Sequence, residues 1–95
     1  MVNSDKMDLK DGIYKFHAEW CGPCKQLAPV VDRVVAELGA VLHPINVDEN
    51  PELAQYFGVR SIPAMFAVKD GQPTHSMLGN RSEAEVREFI KKTIS

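Results

Sequence analysis

The sequence lacks the features that mark membrane proteins and nucleic-acid-binding proteins. None of its apolar runs approaches the roughly 20 residues needed to cross a bilayer. Its net charge of -2 gives no reason to expect nucleic acid or an acidic membrane surface as a partner. Residues 1–10 are polar and charged, without the apolar region of a signal peptide, so we expect a cytoplasmic protein. The length of 95 residues predicts a single domain, residues 1–95, with one core.

Cysteine is also scarce, and its placement is the strongest signal in the sequence. The two cysteines, Cys21 and Cys24, are three residues apart. In a reducing compartment such a close pair serves catalysis, sensing or metal binding rather than a structural framework. There is no second Cys-x-x-Cys and no His-x-x-x-His. A metal site built from His17 and the two thiols would therefore be one ligand short of a closed zinc site, and we expect no metal.

Apolar periodicity predicts an α/β protein with the element order β-α-β-α-β-β-α. Short apolar runs predict strands at residues 13–18, 41–47, 65–69 and 74–78. An i, i+3, i+4 pattern predicts a helix over residues 25–38. Capping signals predict two more: one starts at Asn50-Pro51, with the Asn50 side chain as cap and proline in the first turn, and one is capped by a Ser82–Glu85 capping box. Strands separated by a helix imply a parallel pair and the closing hairpin adds an antiparallel pair, so we expect a four-stranded mixed sheet between helices. Pro44 favours an edge position for the second strand, because proline cannot donate to a ladder.

The dithiol lies where the first strand leads into the first helix. Cysteines three residues apart at a helix start lie on one side of the first turn, so their sulfurs can meet. The positive end of the helix stabilises a thiolate on Cys21, which makes it the better nucleophile. Cys21 would attack a substrate disulfide, and Cys24 would then attack Cys21, releasing the substrate and closing a Cys21–Cys24 disulfide.

The run Ala18-Glu19-Trp20-Cys21-Gly22-Pro23-Cys24-Lys25 closely resembles the thioredoxin family. Four further features are similar to that family: Pro29, the run Asn46-Val47-Asp48-Glu49-Asn50-Pro51, the run Gly58-Val59-Arg60-Ser61-Ile62-Pro63, and Gly79. The resemblance extends from the first strand to the C-terminus. It implies a thioredoxin fold and a thiol–disulfide oxidoreductase that reduces protein disulfides.

The resemblance also implies roles for residues around the dithiol. The Ile62–Pro63 bond would be cis, and a shallow substrate groove around Cys21 would be formed by Trp20, Gly22, Pro23, Ile62, Pro63 and Gly79. Disulfide-containing proteins would be the substrates, thioredoxin reductase the electron donor, and the protein a monomer. No bound cofactor is expected, because the dithiol itself carries the electrons.

The N-terminus departs from the family pattern. Thioredoxins usually begin with a strand and a helix, for which residues 1–11 are too short, so we expect a loosely structured arm there. Tyr14 or Phe16 would then be less covered than usual, unless apolar residues of the arm fold over them, namely Val2, Met7 and Leu9.

Two further departures lie in the first strand. Lys15 stands where members of the thioredoxin family typically carry a buried aspartate, beneath the second cysteine. A cation at this position would favour the Cys24 thiolate and make the disulfide more oxidising. Alternatively, Lys15 lays its stem along the core and extends its ammonium to water. His17 stands where the family usually has an aromatic residue. It either alters the reactivity of the dithiol near neutral pH or is a partly exposed packing residue.

Two other functions remain open at this point. The chain could be a thioredoxin-like protein-binding subunit whose redox activity is incidental, or, through Lys15, a more oxidising exchange protein.

Overall fold

The structure, a computed structural model, describes residues 9–94 and follows the predicted element order. The elements are β1 (Gly12–His17), α1 (Gly22–Leu38), β2 (Leu42–Asn46), α2 (Pro51–Phe57), β3 (Ala64–Lys69), β4 (Gln72–Leu78) and α3 (Glu83–Ile94). Most of the predicted N-terminal arm lies outside the described residues, and residues 9–11 belong to no helix or strand.

The four strands form one mixed sheet in the order β2-β1-β3-β4. β1 pairs in parallel with β2 and antiparallel with β3, and β3 pairs antiparallel with β4. β2 is therefore an edge strand, as Pro44 predicted, and Pro44 lies opposite Lys15 of β1. A proline is tolerated there because an edge strand needs hydrogen bonds on one side only.

Helix α1 begins three residues earlier than its apolar pattern predicts. Cys21 is the N-cap residue and Pro23 occupies the first turn, where a missing N–H has no consequence. The apolar stripe starts only at Leu27, so periodicity alone could not detect this first turn. Pro29 lies inside the helix, which ends at Gly39 with a left-handed φ of 71°. No helix within residues 9–94 has the length and apolar composition to cross a membrane.

The two predicted helix caps had different outcomes. The capping box of α3 is confirmed, because the Ser82 amide donates to Glu85 Oε1 at 3.1 Å and the Glu85 amide donates to Ser82 Oγ at 3.2 Å. The prediction that the Asn50 side chain caps α2 was wrong. Asn50 Nδ2 instead donates to the Asn46 carbonyl at 3.1 Å, which turns its side chain back toward the end of β2.

The sheet has a core on each face. Ile13 lies on the face toward α1 and α3, within a cluster of Leu27, Val31, Val34, Met65, Ala67, Val86, Phe89 and Ile90. Lys15 shares that face because side chains alternate along a strand. This placement positions Lys15 beside α1, the helix that carries both cysteines.

The opposite face of the sheet is covered by α2 and by Leu9. Tyr14 and Phe16 are only 6% and 0% exposed. The Phe57 ring of α2 lies 5.4 Å from the Tyr14 ring and 5.2 Å from the Phe16 ring, between centroids. Leu9 packs against the same cluster, whereas Val2 and Met7 lie outside the described residues. Of the three arm residues named in the sequence analysis, Leu9 therefore contributes to the cover that keeps Tyr14 and Phe16 buried.

Candidate redox-active site

Cys21 and Cys24 are joined in a disulfide at the start of α1, with their Cα atoms 5.3 Å apart. β1 ends at His17, and a short turn brings the chain to Cys21, whose extended backbone makes it the N-cap residue. The Cys24 amide donates to Cys21 Sγ at 3.2 Å. A negative charge on that sulfur would therefore meet both an N–H donor and the positive end of the helix.

The disulfide lies just beneath the surface. Cys21 and Cys24 are each 4% exposed and form a small cluster with Ala18, against which Val47 and Ile62 pack. The two residues between the cysteines are exposed. A side chain at Gly22 would meet no described atom within 4 Å outside its immediate neighbours, so the open space beside Cys21 faces solvent.

Trp20 extends outward from the disulfide, and its indole is held by Asp48, whose role was not predicted from the sequence. Its side chain is 68% exposed, and Nε1 donates to Asp48 Oδ2 at 2.9 Å. The parallel pairing of His17 with Asn46 explains this contact, because it brings the residues after β1 beside those after β2. Nothing in the sequence around Asp48 signals the contact before the strands are paired.

Trp20 and Ile62 line one groove of about 380 Å³ on the outer side of the disulfide. The rest of its lining comprises Val47, Ala54, Val59, Arg60 and Ser61. Apolar side chains dominate this set, and Arg60 supplies a positive charge. Apart from Trp20 and Ile62, none of these lining residues was among the predicted groove residues.

The other predicted groove residues, Gly22, Pro23, Pro63 and Gly79, are not part of this lining. The Ile62–Pro63 peptide bond is cis, as the resemblance implied. The Pro63 carbonyl accepts a hydrogen bond from the Gly79 amide at 2.8 Å, which joins the loop before β3 to the end of β4. Pro23 is exposed on the first turn of α1. The predicted residues thus come from three segments of the chain. Two of these residues, Trp20 and Ile62, line the same groove.

A second, smaller cavity lies on the inner side of the disulfide. It has a volume of about 270 Å³, and its lining includes Lys15, His17, Cys24 and Asp32. Lys15 is 7% exposed and is the one buried polar or charged residue of the described chain. Burial lowers the pKa of its ammonium, and the Asp32 carboxylate opposes this shift.

The Lys15 ammonium retains access to solvent. Within residues 9–94, no hydrogen bond to Lys15 is found, yet no fully buried side-chain nitrogen or oxygen lacks a partner. The ammonium therefore has access to water along the inner cavity. Asp32 was missed by sequence reasoning, although Cys24, Ala28 and Asp32 follow the i, i+4 spacing of one helix face.

The metal-binding alternative finds no support in this geometry. His17 is half-buried and lines the inner cavity, whereas both thiols are consumed in the disulfide. Across the part of the chain that the structure describes, no three His, Cys, Asp or Glu residues come together as a metal site.

A cysteine pair closed at a helix N-terminus can cycle between disulfide and dithiol, with an apolar groove on one side to receive a partner. Fold and site together define a thiol–disulfide oxidoreductase.

The comparisons with known proteins agree. The sequence model of the Thioredoxin family matches residues 3–92. Thioredoxin from Listeria monocytogenes is 42% identical over 81 residues, covering 83% of this chain and 79% of the relative. Thioredoxin 2 from Chlorobaculum tepidum is also 42% identical, covering 83% and 71%. The solved structure of a mutant thioredoxin from Halobacterium salinarum NRC-1 superposes with a TM-score of 0.81 at 34% identity, covering 87% of this chain and 74% of that one.

The chain therefore belongs to the thioredoxin family and is a protein-disulfide oxidoreductase. This confirms the resemblance, the fold and the reaction class expected from the sequence, and it favours neither the binding-subunit alternative nor the more oxidising one.

Proposed function

We propose that this protein is a cytoplasmic electron carrier in which Cys21 attacks the disulfides of substrate proteins and Cys24 resolves the product. The observation that carries the assignment is the N-cap position of Cys21, whose sulfur accepts the Cys24 amide at 3.2 Å. Cys24 lies one turn further along α1 and borders the inner cavity instead. The thiol at the helix end is the one whose thiolate the helix stabilises most.

The reaction then proceeds in two balanced exchanges. The Cys21 thiolate attacks one sulfur of a substrate disulfide, forms a mixed disulfide and expels the other sulfur as a thiolate. Cys24 loses its proton to solvent and attacks Cys21 Sγ, which releases the second substrate sulfur as a thiolate. Both substrate thiolates take up protons, so the substrate gains two electrons and two protons and the protein is left as the disulfide.

The outer groove is the proposed substrate site. Trp20 presents an exposed apolar ring fixed by Asp48, and Ile62 lines the groove beside the disulfide. An extended substrate segment would lie across Trp20, Gly22, Pro23, Ile62, Pro63 and Gly79. Apolar contact with these residues would orient a partner disulfide toward Cys21 without demanding one particular sequence.

The remaining partners follow from family membership. Thioredoxin reductase would return electrons to the Cys21–Cys24 disulfide, and the protein would act as a monomer. The disulfide itself carries the electrons, so the proposal includes no bound cofactor or metal.

A redox titration against glutathione, followed by reduction of insulin as a probe substrate, tests this function. Trp20, the single tryptophan of the chain, reports the state of the neighbouring disulfide by its fluorescence. We expect one reversible two-electron transition and catalytic insulin reduction that Cys21→Ser abolishes. Absence of a reversible transition, or full insulin reduction by Cys21→Ser, would overturn the assignment.

A further inference from the structure

Lys15 is the unusual feature of the inner cavity. Charged side chains are almost never buried without a partner, because transfer of a charge from water is costly. Lys15 is nevertheless 7% exposed, on the face of β1 that packs toward α1. The proposed reaction described so far makes no use of it.

The cavity that Lys15 lines also contains Cys24. It is bounded by β1, by the turn after it, by α1 and by β2. Cys24 is 4% exposed, so water surrounds its sulfur less than it surrounds the exposed side chains of the same lining, and a charge close to it is screened less than a charge at the open surface. Lys15 is contributed by β1 and Cys24 by α1, so their proximity is a product of the fold.

Four other titratable groups face the same cavity, and they are more exposed than Lys15. They are His17 from β1, Glu19 from the turn, and Lys25 and Asp32 from α1; β2 contributes only Pro44. Glu19, Lys25 and Asp32 are exposed, and His17 is half-buried. Water and salt screen exposed charges more than buried ones, so we expect Lys15 to act on Cys24 more strongly than these four groups do.

We propose that the Lys15 ammonium, acting across the inner cavity, stabilises the thiolate of Cys24 and so assists the resolving step. Lys15 is a positioning residue in this scheme: it exchanges no electrons and forms no bond. Asp32 helps to keep Lys15 protonated, since its carboxylate opposes the effect of burial. The proposal rests on the assignment of Cys24 as the resolving thiol.

The consequence for the reaction is specific. In the mixed disulfide, the Cys24 thiol must lose its proton before attack, and the nearby cation increases the fraction present as thiolate. The released proton passes to solvent and is balanced by protonation of the departing substrate thiolate. A cation that stabilises the reduced state also raises the reduction potential relative to the same protein without it. The reaction class is unchanged.

The direct test measures the pKa of Cys24 in the Cys21→Ser variant, where Cys24 is the sole thiol. Thiolate absorbance is followed against pH with and without Lys15→Met, which keeps an unbranched stem and removes the charge. We expect about tenfold less thiolate at a fixed pH near the midpoint after Lys15→Met. Lys15→Arg should restore most of the loss, which a purely structural role would not predict.

Lys25→Met provides the matched control. Lys25 borders the same cavity and follows Cys24 directly, but it is exposed. Removing its charge should change the thiolate fraction by less than about twofold, because solvent screens it. Equal effects of Lys15→Met and Lys25→Met, or no effect of Lys15→Met, would overturn the proposal.

A glutathione titration separates this proposal from the proposed function. In the protein with both cysteines, at a pH high enough for Cys24 to be ionised in both proteins, Lys15→Met should shift the equilibrium constant about tenfold toward the disulfide, equivalent to a potential lower by about 30 mV for a two-electron couple. A reversible couple with no shift would remove the role of Lys15 and leave the oxidoreductase assignment intact. Absence of any couple in the wild-type protein would instead remove the proposed function.

Discussion

The two sides of the Cys21–Cys24 disulfide differ in how deeply their charged side chains are buried. On the outer side, Trp20 is 68% exposed, and the charged side chain of Arg60 is also exposed. On the inner side, Lys15 is 7% exposed and shares a cavity of about 270 Å³ with Cys24. A charge in water is screened within about 10 Å, whereas a buried charge acts on its neighbours at a much lower dielectric constant.

This difference assigns separate tasks to the two sides. The outer side can change its residues to suit partners with little effect on the sulfurs themselves. The inner side can change the chemistry of Cys24 without touching a partner. Substitutions on the outer side should therefore alter substrate affinity, and those on the inner side should alter thiol acidity and potential.

The largest contrast is expected between the two cysteines. Cys21→Ser should lower the rate of insulin reduction by at least about 1,000-fold, because no nucleophile remains. Cys24→Ser should be equally inactive in turnover but should accumulate a mixed disulfide through Cys21, which mass spectrometry of the unreduced complex detects. Accumulation through Cys24 in the Cys21→Ser protein instead would reverse the proposed roles.

On the outer side, Trp20→Ala should raise the KM for a protein substrate by about tenfold, because an exposed aromatic anchor is lost. The potential of the disulfide, measured by alkylation and mass shift, should stay close to the wild-type value. Asp48→Ala should raise KM by a smaller factor, about threefold, since it removes only the hydrogen bond to the Trp20 indole. A potential that moved with KM would break the separation of the two sides.

On the inner side, Lys15 should make folding stability depend on alkaline pH. Burial places its folded pKa below the ordinary value of 10.5, so between these values the unfolded chain binds more protons. The free energy of unfolding should rise with pH across that window, with a slope that corresponds to release of up to about one proton on folding. At pH values below the window, the full cost of burying the cation should apply. Lys15→Met should remove this slope.

Urea unfolding of the oxidised proteins from neutral pH to about 10.5 measures the slope, because the disulfide keeps both thiols from titrating. Burial also raises the pKa of Tyr14, and that contribution cancels in the difference between wild type and variant. Parallel stability curves for the two proteins would contradict the expected burial of a charged Lys15.

The smallest effect is expected at His17, which lines the inner cavity but is only half-buried. Histidine is the side chain whose charge changes most readily near neutral pH, and partial exposure weakens that charge at Cys24. His17→Phe should change the rate of Cys24 alkylation, measured against pH in the Cys21→Ser background, by about twofold or less. A change as large as that caused by Lys15→Met would mean that His17, rather than Lys15, supplies the main charge acting on Cys24.

Local patterns predicted most of the fold. The capping box at Ser82, the edge position of Pro44 and the alternation along β1 depend on residues close in sequence, and all three appear in the structure. The cap at Asn50 failed because its side chain bonds back to Asn46, a choice between two local partners that composition does not resolve. Cover of Tyr14 and Phe16 by Leu9 was one of the two expected outcomes, whereas the contribution of Phe57 was not predicted because it belongs to a different element.

By itself, the sequence determined the dithiol, its place at a helix start and the reaction class, since each depends on spacing within one short stretch. The resemblance placed Lys15 beneath Cys24, but only the tertiary structure showed that the two line one cavity with Asp32 and that Asp48 holds Trp20. These pairs join residues of separate elements, and their distances depend on strand register and on how α1 lies against the sheet. The chemistry of each sulfur therefore follows from its neighbours in the fold as well as from its neighbours in the chain.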